Sequence, residues 1–261
     1  MKVTGIQLDY AELLERLVPV VQDASQVVMQ VYKSNFSVSG KADLSPVTEA
    51  DCLAEALLIP RLQQLLPMVP VVAEEGAAVG HMPAVGSRFW LVDPVDGTRE
   101  FISRHGEFTV NVALVENGSP VLGVVHAPAL GCLYAGAVGS GAFRVDEGGR
   151  QVVACRARPE AGLVVMASRS HGSAELLDAF LGQQQVGELR NAGSSLKFCL
   201  VATGEADVYP RFGRTMEWDT AAGHAVLLAA GGRVVDVHGG ALVYGKPGFE
   251  NPHFIAWGRG E

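Results

Sequence analysis

The segment Trp90-Leu91-Val92-Asp93-Pro94-Val95-Asp96-Gly97-Thr98 constrains the fold more than any other stretch of the chain. Residues 89–92 form a short apolar run with strand character. A buried strand there delivers Asp93 at its end, and Pro94 fixes the turn that follows. Asp96 then suits a helix N-cap, with Gly97 and Thr98 in the first turn. This arrangement sets two carboxylates and the Val95 carbonyl on one side of a turn, where the N–H groups of Gly97 and Thr98 favour an anion.

Other acids can reach the same place. Glu74-Glu75 stands at the end of a strand predicted over 69–73, and Asp219 opens a helix within Glu217-Trp218-Asp219-Thr220-Ala221-Ala222-Gly223. Carboxylates that converge without a cation repel one another and raise their own pKa values. Hard divalent cations relieve this, and all-oxygen ligation favours magnesium or manganese over zinc.

The rest of the chain frames that centre. Leu13, Leu14, Leu17, Val18, Val21 and Ala24 recur at helical spacing and predict an amphipathic helix over 10–33. A loop over 40–46 precedes a second helix over 47–66, with Leu53, Ala54, Leu57 and Leu58 on its buried side and Pro67 and Pro70 beyond its end. Strands over 108–115 and 121–126 flank Asn117-Gly118, a strong signal for an antiparallel hairpin. Glycine-punctuated segments over 133–153 add strands to the same sheet. After Pro159 strands and helices alternate: a strand over 163–167, helices over 174–181 and 194–203, a strand over 206–209, a helix over 220–230, then Val234-Val235. The expected fold is a layered αβαβα arrangement, with a mixed and largely antiparallel α+β part over 1–158 and an α/β part over 159–261. The first part would carry most of the metal ligands, and the second the last metal ligand and the substrate contacts.

Composition narrows the partners. A net charge of −8, with no lysine- or arginine-rich run, argues against a nucleic-acid binder. A small anionic substrate stays open, because local metal ions outweigh the global sign. Cys52, Cys132, Cys155 and Cys199 form no C-x-x-C pair, and the seven histidines no zinc-type pair, as expected of reduced thiols in a cytoplasmic chain. Charges at Glu12, Glu15, Arg16, Asp23 and Lys33 interrupt any membrane-length segment near the N-terminus. Association with the inner membrane surface is left open.

D-P-V-D-G-T at 93–98, W-D-T-A-A-G at 218–223 and Thr48-Glu49-Ala50-Asp51 together resemble the magnesium-dependent, lithium-sensitive inositol monophosphatase superfamily over nearly the whole chain. The resemblance implies a sugar-phosphatase-like fold and two or three Mg2+ ions per site, with Mn2+ as a substitute. Glu74, Asp93, the Val95 carbonyl, Asp96 and Asp219 would be the metal ligands. Asp51 and Thr98 are similar to the pair that orients and deprotonates the attacking water, a pairing needed because a threonine hydroxyl alone is a weak base. The implied reaction is metal-activated attack of water on a phosphate ester without a covalent enzyme intermediate.

Arg99-Glu100-Phe101, the run His105-Gly106-Glu107-Phe108-Thr109-Val110-Asn111, Ser168-Arg169-Ser170-His171 and Gly193-Ser194-Ser195-Leu196-Lys197-Phe198 are similar to the bacterial, CysQ-type 3'(2'),5'-bisphosphate nucleotidase branch. In Tyr209-Pro210-Arg211-Phe212-Gly213 an arginine stands where inositol monophosphatases generally place an acid. Arginine suits a second phosphate through bidentate bonds. The expected reaction is cleavage of the 3'-phosphate of adenosine 3',5'-bisphosphate (PAP) to AMP, with its sulfated analogue PAPS as a second substrate. Substrate contacts are expected from Glu74, Val95, Asp96, Gly97, Thr98, Ser168, Arg169, Ser194, Ser195, Lys197, Arg211 and Asp219, and Lys41 is a candidate to close over the metals. Inositol phosphates and fructose 1,6-bisphosphate are the alternative substrates, and a catalytically idle nucleotide- or metal-binding relative is the alternative of another class. The chain would act as a monomer or a homodimer.

Overall fold

The computed structural model describes residues 8–40, 46–168 and 172–260, so Lys41, Arg169, Ser170, His171 and most of the loop expected over 40–46 lie outside the described residues. The chain opens with α1 (Tyr10–Tyr32), whose first turn is capped by Asp9 through the Ala11 and Glu12 N–H groups. Its Leu13, Leu14, Leu17, Val21 and Ala24 stripe is buried, as the spacing requires. A two-stranded ribbon, β1 (Val38–Gly40) and β2 (Pro46–Thr48), leads into α2 (Glu49–Leu65). Here one expectation fails. Leu53 is 49% exposed, because the buried face of α2 runs through Ala54, Leu58 and Leu62, which a residue one position earlier cannot share.

The first sheet follows: β3 (Val71–Ala73), a short α3 (Glu74–Ala78), β4 (Arg88–Asp96), α4 (Thr98–Ile102), β5 (Thr109–Glu116), β6 (Ser119–Ala127), β7 (Cys132–Ala137), β8 (Gly141–Asp146) and β9 (Gly149–Val153). Its seven strands lie in chain order, parallel between β3 and β4 and antiparallel thereafter. Asn117 and Gly118 turn β5 into β6 with positive φ at both residues, the backbone that a tight hairpin demands.

The second sheet is built from β10 (Leu163–Ser168), β11 (Val186–Ala192), β12 (Val208–Arg211), β13 (Arg233–Asp236) and β14 (Phe254–Trp257), with α5 (Ala174–Leu181), α6 (Leu196–Ala202) and α7 (Glu217–Ala229) between strands. Its order is β11-β10-β12-β14-β13, parallel around β10 and antiparallel around β14. Strand β12 runs two residues later than the pattern predicts. Strand β11 was not predicted, because Gly187, Glu188 and Arg190 break its apolar character and six of its seven residues are exposed.

Packing explains the layers. Trp90 and Val92 of β4 join the core beneath α1 and α2, while Phe89 and Leu91 join the core shared with α6, α7, β12 and β14. A sheet covered on both faces needs apolar side chains at successive positions, which is why β4 reads as an unbroken apolar run. Leu163, Val165 and Val208 close the outer face of the second sheet against Phe180 of α5. The order of layers is therefore α1/α2, first sheet, α6/α7, second sheet, α5, and the middle core draws on both parts of the chain.

Helix α7 lies flush on the first sheet because Gly123 has no side chain. A Cβ there would stand 2.6 Å from the Ala222 carbonyl oxygen and 2.9 Å from the Ala225 Cβ. Gly123→Ala is expected to destabilise the protein by about 1–3 kcal/mol, the usual cost of overpacking a filled core. A melting temperature equal to that of the parent would contradict this close helix–sheet contact.

Candidate active site

Strand β4 carries the first acid. Asp93 pairs in register with Asn111 of β5 and is almost fully buried. Its Oδ1 accepts the Val95 N–H at 3.1 Å. Pro94 has no N–H to give the ladder, and the register shifts between Asp93 and Asp96 before pairing resumes with Thr109. The helix that follows starts one residue later than predicted. Asp96 is the last residue of the strand, and Gly97 takes the N-cap position of α4 at φ 89°, a backbone that glycine adopts without strain. The Thr98 hydroxyl donates to the Val95 carbonyl at 3.1 Å.

Two other elements bring carboxylates to this end of the sheet. Glu74 and Glu75 stand directly at the end of β3, as expected, and open α3, where the Glu75 and Gly76 N–H groups donate to the Glu55 carboxylate of α2 at 2.8 and 2.9 Å. Asp219 sits in the first turn of α7, where its Oδ2 accepts the Met216 N–H at 2.9 Å. Ligand oxygens of Glu74, Asp93 and Asp219 lie within 4.8 Å of one another. Burial, then the neighbouring Glu74, Asp96 and Asp219 charges, pushes Asp93 well above the ordinary carboxylate range. Burial and the Asp96 and Glu74 charges do the same to Asp219. Asp96 is also raised by burial, although the Lys197 ammonium and the Ser195 N–H pull it back.

A cavity of about 640 Å³ opens over this cluster. Glu74, Asp93, Val95, Asp96, Gly97, Thr98, Ser168, Ser194, Ser195, Lys197, Arg211 and Asp219 all line it. Among the described residues its wall does not include Asp51, whose Oδ2 accepts both the N–H and the hydroxyl of Thr48 in the capping box of α2. The Lys197 ammonium, brought down to about 8 by burial, donates to the Ala192 and Ser194 carbonyls. Arg211 is nearly buried on β12 and donates to the Arg214 carbonyl at 3.1 Å. Ser194 holds a left-handed backbone, and its buried hydroxyl meets no hydrogen-bond partner among the described residues.

The converging donor set fits hard divalent cations, since every available atom is oxygen and the carboxylates are close enough to repel. What locks the set in place was not legible in the sequence. The Ser195 N–H donates to Asp96 Oδ2 at 2.6 Å, its hydroxyl donates to the Asp219 carbonyl at 2.6 Å, and Asn111 Nδ2 donates to that hydroxyl at 3.1 Å. One serine thus ties an acid on the first sheet to an acid on α7. The register of Asn111 opposite Asp93 is the one clue that the β5 pattern offered. Arg214 was also missed; it lines the cavity and pairs with Glu250.

The model of the inositol monophosphatase family matches residues 9–257 of the chain. The 3'(2'),5'-bisphosphate nucleotidase CysQ of Escherichia coli (strain K12) is 46% identical over 248 residues, covering 93% of this chain and 98% of that protein. The crystal structure of CysQ from Bacteroides thetaiotaomicron, a bacterial member of that family, aligns with a TM-score of 0.82 at 35% identity, covering 98% of this chain and 100% of the other. The IMPase of Thermotoga maritima aligns with a TM-score of 0.76 at 28% identity, covering 94% and 92%.

Ser195→Ala would leave the Asn111 amide and the Asp219 carbonyl short of a buried partner, a loss of about 1–3 kcal/mol. Thermal melts should register that loss, and phosphatase turnover should fall with it because Asp219 is no longer tied to Asp96. Unchanged stability and turnover would remove the serine from any role in the site.

Proposed function

The chain belongs to the inositol monophosphatase family, and from that premise we propose that it is a Mg2+-dependent 3'(2'),5'-bisphosphate nucleotidase that hydrolyses PAP to AMP and phosphate. The observation that carries this reading is one cavity that holds two opposed sets of charge. Glu74, Asp93, Asp96 and Asp219 line it together with Lys197, Arg211 and Arg214. A substrate with one phosphate on cations held by the acids and a second anionic group at Lys197 and Arg211 satisfies both sets. The CysQ proteins of Escherichia coli and Bacteroides thetaiotaomicron support the nucleotide reading by their likeness across almost the full chain.

Glu74, Asp93, Asp96, Asp219 and the Val95 carbonyl would hold the cations. When bound, the cations supply Lewis-acid charge that acidifies the attacking water and offsets charge on the phosphate. Thr98, whose hydroxyl already points along the Val95 carbonyl, orients the water as its hydrogen-bond partner. Asp51, in the first turn of α2 and off the cavity wall, is in this reading the carboxylate that makes a base of Thr98, acting through that hydroxyl and not on the water itself. Lys197 contributes positive charge close to Asp96, and the Arg211 guanidinium offers the fork that a second phosphate fits. PAPS, with its 3'-phosphate in the same position, is a second substrate of this reading.

Phosphate release from PAP, inositol 1-phosphate and fructose 1,6-bisphosphate tests the assignment, each with magnesium and with EDTA. PAP should be preferred, and EDTA should abolish turnover. Arg211→Ala should weaken PAP by about 1.5–3 kcal/mol, roughly ten- to a hundred-fold in KM, the range for a bond to a charged group. It should change 3'-AMP far less, since that ester has no second phosphate. A preference for inositol 1-phosphate would overturn the substrate while keeping the phosphatase.

A further inference from the structure

Two residues before Asp219, at the first position of α7, stands a carboxylate that the reaction does not use. Glu217 is fully buried. Its Oε2 accepts the Gly245 N–H at 2.7 Å, and its Oε1 accepts the Lys246 N–H at 3.0 Å and the Lys246 ammonium at 2.6 Å. That ammonium also donates to the Val243 carbonyl at 2.6 Å and to Asn251 Oδ1 at 3.1 Å, which occupies all three of its protons. Asn251 completes the grip from the other side. Its Nδ2 donates to the Met216 carbonyl at 2.8 Å and to Thr220 Oγ1 at 3.0 Å, and its own N–H donates to the Thr215 carbonyl.

The segment 243–251 therefore holds the turn 215–220 at several points, and that turn presents Asp219 to Glu74 and Asp93. Met216 closes the local geometry by donating its N–H to Asp219 Oδ2. The same segment carries Gly248 to the cavity wall, beside Thr215, Met216 and Trp218 of the turn it holds. A buried ion pair is weak evidence for stability in itself, because desolvation offsets much of the attraction between its charges. What a charged pair with fixed partners adds is position: each bond is directional, and a shift of the turn breaks several at once.

We propose that Glu217 and Lys246 are a pair of positioning residues, a clamp that sets the first turn of α7 so that Asp219 meets Glu74 and Asp93 at ligand distance. The clamp acts through Asp219 and touches neither substrate nor the reacting atoms. It rests on the reading of Asp219 as a metal ligand.

Titration calorimetry of the metal-free protein with Mn2+ tests the clamp, at a temperature where circular dichroism shows each variant folded. Lys246→Met and Glu217→Gln should each weaken Mn2+ binding by about ten-fold or more, the scale at which partners behind the ligands act. The metal concentration for half-maximal turnover should rise in step, while KM for PAP at saturating metal stays near that of the parent. Lys246→Arg keeps the charge and should recover most of the affinity. If Glu217→Gln does not fold, Lys246→Met carries the test, because it leaves both backbone N–H bonds to Glu217 in place. Folded variants with parental Mn2+ affinity would overturn the clamp, provided that Asp219→Asn weakens binding in the same assay. Parental affinity in Asp219→Asn would instead remove the metal-ligand reading itself, and the clamp with it.

Discussion

Mutual repulsion among carboxylates is the interaction around which the molecule is organised. Glu74, Asp93 and Asp219 come from α3, β4 and α7, and each would move apart from the others if its own element allowed it. Burial makes this repulsion stronger than it would be in water, and the pKa values of Asp93 and Asp219 are raised by desolvation first and by that repulsion in addition. A fold that holds such a cluster without a cation carries an unfavourable electrostatic term. The same cluster with divalent cations turns that term into affinity, which is the physical reason for the link between this fold and metal-dependent phosphate chemistry.

Holding the cluster falls to neutral and paired groups placed behind it. Glu55 fixes the entry to α3 through two backbone N–H groups. Ser195 and Asn111 join Asp96 to α7. Gly123 lets α7 settle onto the first sheet, so the last acid is delivered by a helix whose depth is set by backbone contact. These supports come from α2, from β5 and β6 of the first sheet and from the N-cap of α6, and they meet where the layer of α6 and α7 packs on that sheet. Lys197 of α6 and Arg211 of β12 line the cavity from that layer and from the second sheet, on other elements than Glu74, Asp93, Asp96 and Asp219.

The parts of this arrangement that depend on local pattern were legible in the sequence. The apolar run ending at Asp93, the hairpin at Asn117-Gly118, the stripe of α1 and the family resemblance of the D-P-V-D-G-T and W-D-T-A-A-G segments all follow from neighbours in the chain. The parts that depend on distant partners were not. Ser195 and Asp96 are 99 residues apart, and nothing in either segment names the other. Leu53 was misassigned because α2 interleaves apolar residues on more than one face, and β11 was missed because an exposed strand has no apolar signature. The N-cap of α4 moved from Asp96 to Gly97 because the ladder resumes after Pro94, a feature of pairing with β5 that the turn residues alone do not reveal.

The most direct test of the central claim is the anomalous diffraction of manganese in crystals of the protein grown with Mn2+. Anomalous peaks are expected among the carboxylates of Glu74, Asp93 and Asp219, with the Val95 carbonyl and Asp96 at the same centre. Peaks elsewhere on the molecule, with that cluster empty at saturating Mn2+, would contradict it.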